Sequence, residues 1–197
     1  LDAAGGPDEF LERYAVMLLS DHGQTAVDRA ARLEESFRDV AHDVVVAASN
    51  RAAQVYLLPG ARVDAADLAR RLDGNPAVDV TLRREDDIVA RRDGADGPVS
   101  KLDHPDGVWR VLSALANPNA GELLVSAAEG WELTDLGGRH HAGGGSHGSL
   151  VAGDSLVPLL AVGLQAASRR ITDVAPAVLE HFGVAVPESM ETFAGVG

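Results

Sequence analysis

A chain of 197 residues is long enough for one ordinary domain, and a hydrophobic fraction of 46% can fill a core. Aromatics are only 4%, so that core must be built from Val, Leu and Ala. A net charge of -13 argues against duplex nucleic acid as a partner, because phosphate contacts need a basic footprint. No apolar run reaches the roughly 18 residues of a membrane span, and the absence of cysteine excludes disulfides and thiolate metal sites while leaving localisation open.

In chain order, the opening LDAAGGPDEF has neither a basic nor an apolar signal region and no initiator Met. We expect it to begin inside a longer protein. Pro7 to Arg13 reads as a helix with Asp8 and Glu9 early in it. Tyr14 to Leu19 is a short apolar run ended by Ser20-Asp21-His22-Gly23, the pattern of a strand buried on both faces. Ala26 to Arg38 follows with Ala30, Leu33 and Phe37 at helical spacing. Val44 to Ala48 is a second apolar strand.

Residues 52 to 99 read differently: a strand at Ala53 to Leu58, a helix at Asp64 to Leu72, then strands at Val78 to Arg83 and Asp87 to Arg91, the last pair a hairpin. This β-α-β-β order predicts a small subdomain inserted between 1–51 and 100–197. Its arginines read as a mixed-charge, solvated face. Glu122 to Ala127 returns to buried-strand character. Glu129 to Ser149, rich in Gly and His, predicts a loop. Val157 to Val162 is a further apolar run. Ile171-Thr172-Asp173 opens a helix capped by Thr172 or Asp173 and ended by Gly183.

Two clusters carry metal-ligating chemistry. Asp21 and His22 are adjacent, and adjacent residues within a strand point to opposite faces. They can serve one ion only where the strand has ended and the chain turns. Gly23 permits that turn, and the C-terminal edge of an α/β sheet is where ligands bind. An oxygen and an imidazole suit zinc or another first-row divalent ion. The alternative is an Asp capping the next helix beside a surface His. In the second cluster, His140, His141 and His147 lie among glycines. His147, between Ser146 and Gly148, is the sharpest candidate; His140 and His141 are candidates for substrate or metal contact. A solvated Gly/His loop is the alternative. His42 and His104 read as exposed, and His181 suits the end of a helix. Ser20, Ser146 and Ser149 lack the Gly-x-Ser-x-Gly elbow of a nucleophile.

Leu18-Leu19-Ser20-Asp21-His22-Gly23 resembles the SDHG metal-binding element of alkaline-phosphatase-superfamily phosphodiesterases. Ser146-His147-Gly148-Ser149 resembles their later HG element, and Ile171 through Gly183 resembles their closing TDIAPTILELLG helix. The three occur in the family's order. The nearest branch is the type I phosphodiesterase/nucleotide pyrophosphatases. The resemblance implies a three-layer α/β/α fold with a mostly parallel sheet and two divalent ions, usually zinc. It also implies Asp21 and His22 as ligands of one metal and His147 as a ligand of the other.

A small phosphorylated molecule would be the substrate, cleaved at a phosphodiester or pyrophosphate bond. The alternatives are a monoesterase, sulfatase, mutase or phosphonate hydrolase on the same metals, or a non-catalytic relic. The family's early Asp, its Thr or Ser nucleophile and its Asp-x-x-x-His pair have no counterpart in these residues. No catalytic residue is therefore assigned here. We expect the nucleophile upstream, in an N-terminal half that completes the fold, or else self-association of the open sheet.

Overall fold

The computed structural model describes residues 2–164 and 169–190, and they divide into two compact units. The smaller runs through Asp21 and resumes at Val157; the larger is His22–Leu156. This division differs from the expected boundary of the insert at 52–99.

The smaller unit contains helix α1 (Pro7–Arg13), which starts on a proline whose missing N–H costs nothing at that position. Strand β1 (Val16–Leu19) pairs antiparallel with a late strand at Leu159–Val162. Leu18 lies opposite Leu160, and both are 61% exposed. The expected strand buried on both faces is therefore a two-stranded ribbon with an exposed apolar face. A 3-10 turn at Ile171–Asp173 runs into a helix at Val174–His181, and Gly183 follows with φ 67°, as the sequence suggests. The Asp173 carboxylate accepts the N–H groups of Arg169 and Arg170 instead of capping forward.

In the larger unit, β2 (Thr25–Ala31) occupies the first half of the expected helix, and a 3-10 helix, Leu33–Val40, the second. The helical spacing of Leu33 and Phe37 is real, and both are buried with Val40. Further along come β3 (Val44–Ser49), β4 (Ala52–Leu57), α2 (Ala65–Arg71), β5 (Val78–Arg84), β6 (Ile88–Arg92) and β7 (Ala95–Pro98). Then follow α3 (Gly107–Ala116), β8 (Leu123–Ala127), β9 (Gly130–Leu133), β10 (Gly144–Ser146) and α4 (Ala152–Ser155). The late strand and helix of the smaller unit complete the series as β11 and α5. The expected loop 129–149 thus contributes two short strands.

Six strands form one sheet in the order β3-β4-β8-β5-β6-β7, every pair antiparallel. This corrects the expected mostly parallel sheet. Parallel neighbours need a crossover of about a dozen residues or more, whereas β3–β4, β5–β6 and β6–β7 are joined by tight turns, and β8 enters antiparallel between β4 and β5. Asn50, with φ 54°, turns β3 into β4, and Asp93-Gly94, with φ 53° and 75°, turns β6 into β7. Among the described residues, only β2 and β9 pair in parallel, within a three-stranded sheet β10-β2-β9.

The strands of 52–99 do not close on themselves. β4 bonds to β3 and β8, and β5 bonds to β8. A core of Leu33, Phe37, Val55, Leu68, Leu123 and Val125 lies on one face; Val80, Leu82, Val111 and Leu115 form a second. Leu123 joins the first cluster and its neighbour Leu124 the second, so the clusters lie on opposite faces. Helix α2 covers one and α3 the other. The unit is mixed α/β, built around an antiparallel sheet.

Three arginines of this region, Arg83, Arg91 and Arg92, are spent on carboxylates. Arg83 and Arg91 both bond Asp96, Arg91 also holds Asp73, and Arg92 bridges Asp79 and Asp103. His104, expected on the surface, has a side chain only 6% exposed and lies 2.7 Å from the Asp79 carboxylate. Among the described residues, no helix is long and apolar enough to cross a membrane.

Candidate metal centre

The register of β10 on β2 decides where the histidines fall. Ser146 lies opposite Thr25. Continuing the antiparallel pairing brings the next residue, His147, toward the segment that precedes Thr25, where His22 sits. The two imidazoles meet face to face, with centroids 3.6 Å apart and planes inclined by 11°. The two histidine-bearing elements therefore meet.

Each ring has a hydrogen bond that constrains its proton. Nδ1 of His22 is 2.8 Å from the Gly23 carbonyl, which can only accept. Nδ1 therefore carries the hydrogen, and the lone pair is on Nε2. Nε2 of His147 lies 3.3 Å from the Asn50 side-chain nitrogen, which donates, so its lone pair is also on Nε2. Asp21 is exposed and closes the smaller unit, joined to His22 by the chain.

Behind the rings lies a buried ion pair that the sequence reading does not single out. Arg51 and Asp154 have fully buried side chains and meet at 2.5 Å. The other Arg51 donors reach the carbonyls of Trp131 and Ala128, each at 2.9 Å. Asp154 accepts the Thr25 hydroxyl on one oxygen, and the Ser149 N–H and hydroxyl on the other, at 2.8 and 2.7 Å. Its backbone carbonyl accepts the Gly23 N–H at 2.9 Å. Gly23 is a glycine for a steric reason: a Cβ there would lie 2.0 Å from the Gly153 carbonyl oxygen.

The remaining candidates have other partners. Glu132 is buried and accepts the backbone N–H of His141, its Nδ1 at 2.7 Å, and the Ser146 hydroxyl at 2.9 Å. Burial works against the charged form of Glu132, yet these hydrogen bonds hold its carboxyl below the ordinary value. His140 is exposed and borders a cleft of about 660 Å3 that also involves Trp131 and Arg32. Neither His22 nor His147 lines that cleft, so its size does not make it the reactive centre.

Imidazole nitrogens suit a first-row divalent ion in kind: the His22 lone pair lies on Nε2, and the His147 lone pair, engaged by the Asn50 N–H, would have to exchange that bond for an ion. They fall short in number. Among the described residues, no three His, Cys, Asp or Glu side chains are grouped to hold one ion. A catalytic zinc keeps about three protein ligands.

Residues 4–150 match the sequence profile of the type I phosphodiesterase / nucleotide pyrophosphatase family. The chain belongs to that family. The match includes His22, Asn50, Arg51 and His147, and the closing-helix resemblance at 171–183 lies beyond it. Among proteins of curated function, none is similar enough in sequence to match. A similar solved structure is the crystal structure of phosphonoacetate hydrolase from Sinorhizobium meliloti 1021 in complex with phosphonoformate. It is 14% identical with a TM-score of 0.55, over 87% of this chain and 42% of that chain. At that identity the likeness is one of fold. This phosphodiesterase-family chain thus spans less than half the length of that neighbour.

Proposed function

We propose that this chain supplies part of the centre of a divalent-metal-dependent phosphoester hydrolase acting on phosphodiester or pyrophosphate bonds. The carrying observation is the meeting of His22 and His147, which enter the larger unit at its two ends. Asp21 and His22 would serve one ion and His147 a second, as the family resemblance implies. Such ions, when bound, supply charge stabilisation and an activated water. The residues of this chain hold imidazoles in a fixed orientation, through the Gly23 carbonyl and the Asn50 amide. The nucleophile and the missing ligands belong to sequence outside this chain, the N-terminal half of the same protein.

The test is calorimetric titration of the chain with zinc chloride, wild type against His22→Ala and His147→Ala. We expect weak binding that each variant reduces by at least about tenfold. We also expect no turnover of bis-p-nitrophenyl phosphate until the upstream half is present. Unchanged zinc affinity in both variants would refute the assignment. A phosphonate is the second substrate class to assay, because the similar phosphonoacetate hydrolase was crystallised with phosphonoformate.

A further inference from the structure

The two histidine-bearing segments share one support. Asp154 receives Gly23 and Thr25, the residues just after His22. The same residue receives Ser149, two positions after His147. Its partner Arg51 donates its backbone N–H to the His147 carbonyl at 3.0 Å. Asn50, next to Arg51 in the β3–β4 turn, reaches the His147 ring itself. One buried ion pair and one turn amide therefore touch both loops.

Stability alone does not call for this arrangement. A fully buried ion pair is weak evidence for stability, since apolar residues of similar volume often serve as well. What apolar residues lack is direction. The Arg51 fork ties Asp154 to the Ala128 and Trp131 carbonyls at the β8–β9 turn, with each guanidinium nitrogen engaged. Asn50 supports its φ of 54° with a residue type suited to the left-handed region. Its side chain is thereby held against His147 Nε2, which fixes the plane of that ring and places its proton on Nδ1.

We propose that Asn50, Arg51 and Asp154 are positioning residues: the Arg51–Asp154 pair holds the His22 and His147 loops in register, and Asn50 orients the His147 ring. This deepens the reading of the two histidines as ligands. Orienting groups behind metal-bound imidazoles commonly change metal affinity by about 10- to 100-fold.

The experiment uses the purified 197-residue chain with imidazole-labelled histidine. Its readouts are NMR contacts between the two rings, ring-nitrogen shifts and zinc chloride titration. Asp154→Asn should leave a dispersed, folded spectrum, lose the His22–His147 ring contact and weaken zinc binding by about tenfold. Asn50→Ala should shift the His147 ring nitrogens while leaving those of His22 in place, and Asn50→Asp, an acceptor for the donor, should move the His147 proton to Nε2. Retention of the ring contact and zinc affinity in Asp154→Asn would overturn the proposal. If Asp154→Asn fails to fold, the two Asn50 variants decide: unchanged His147 nitrogen shifts in both overturn it. If wild type binds no zinc, the ligand reading fails, and the ring contacts alone still judge the positioning claim.

Discussion

Gly23→Ala is the sharpest perturbation of the pair of loops. The added Cβ would meet the Gly153 oxygen at 2.0 Å and the Gly153 and Asp154 carbonyl carbons at 3.0 Å. All three are backbone atoms, so no side chain can swing away. Contact at an ordinary separation of about 3.5 Å requires a backbone shift of more than about 1 Å. The Gly23 N–H to Asp154 bond at 2.9 Å cannot survive that shift unchanged. Overpacking costs about 1–3 kcal/mol and the weakened hydrogen bond about 1 kcal/mol. The expected loss is about 2–4 kcal/mol. Urea unfolding followed by tryptophan fluorescence measures it, because Trp109 and Trp131 are the only tryptophans and both lie in the larger unit. Gly97→Ala is the control, since nothing lies within 4 Å of its added carbon. A Gly23→Ala protein within about 0.5 kcal/mol of wild type would refute the idea that this close approach fixes His22.

Arg51→Ala should cost about 3–5 kcal/mol, measured the same way, because it strands a buried Asp154 carboxylate. Glu132→Ala should cost about 1–3 kcal/mol by leaving the buried Ser146 hydroxyl without its acceptor; amide exchange in 140–147 should quicken. Asp96 predicts an acid dependence. Hydrogen bonds from Arg83, then Arg91, outweigh burial and lower its pKa to about 2. Its stabilisation is therefore complete above the ordinary carboxylate value and is lost as pH falls through about 2. With 43% of the side chain exposed, solvent screening keeps the effect below about 1 kcal/mol. Asp96→Asn should flatten the stability profile across that window by this amount, read from urea midpoints at successive pH values.

Local pattern carried the strands and helix of 44–92, which are written in short-range apolar runs and turn residues; the meeting of His22 with His147 depends on the β10–β2 pairing, which no local pattern announces. Ala26 to Arg38 misleads because one apolar spacing spans two elements: Leu33 and Phe37 keep a helical period, while Thr25–Ala31 is drawn into a sheet by β9 and β10. Strand direction is not legible in apolar runs, since a run such as Leu123 to Ala127 reads alike in either orientation. Only turn lengths speak to it, and the Asn50 and Asp93-Gly94 turns were the available signal. The Arg51–Asp154 pair has no local signature at all. Its partners come from four separate segments, so its burial emerges only when the chain is folded.

The position of β8 sets an order of events. It is the last of the six strands of its sheet to leave the ribosome, yet it lies in the middle, between β4 and β5. Until it arrives, the sheet exists as two halves, β3–β4 and β5–β6–β7, with β4 and β5 left as open edges in addition to β3 and β7. Non-local pairings of this kind close slowly and leave exposed edges meanwhile. Synthesis that pauses before residue 123 would hold two sticky half-sheets, and the Ala127–Arg51 bond that seats the buried arginine could form only after that gap is filled. The last strand of this sheet to be made is therefore the keystone that assembles the support beneath His147.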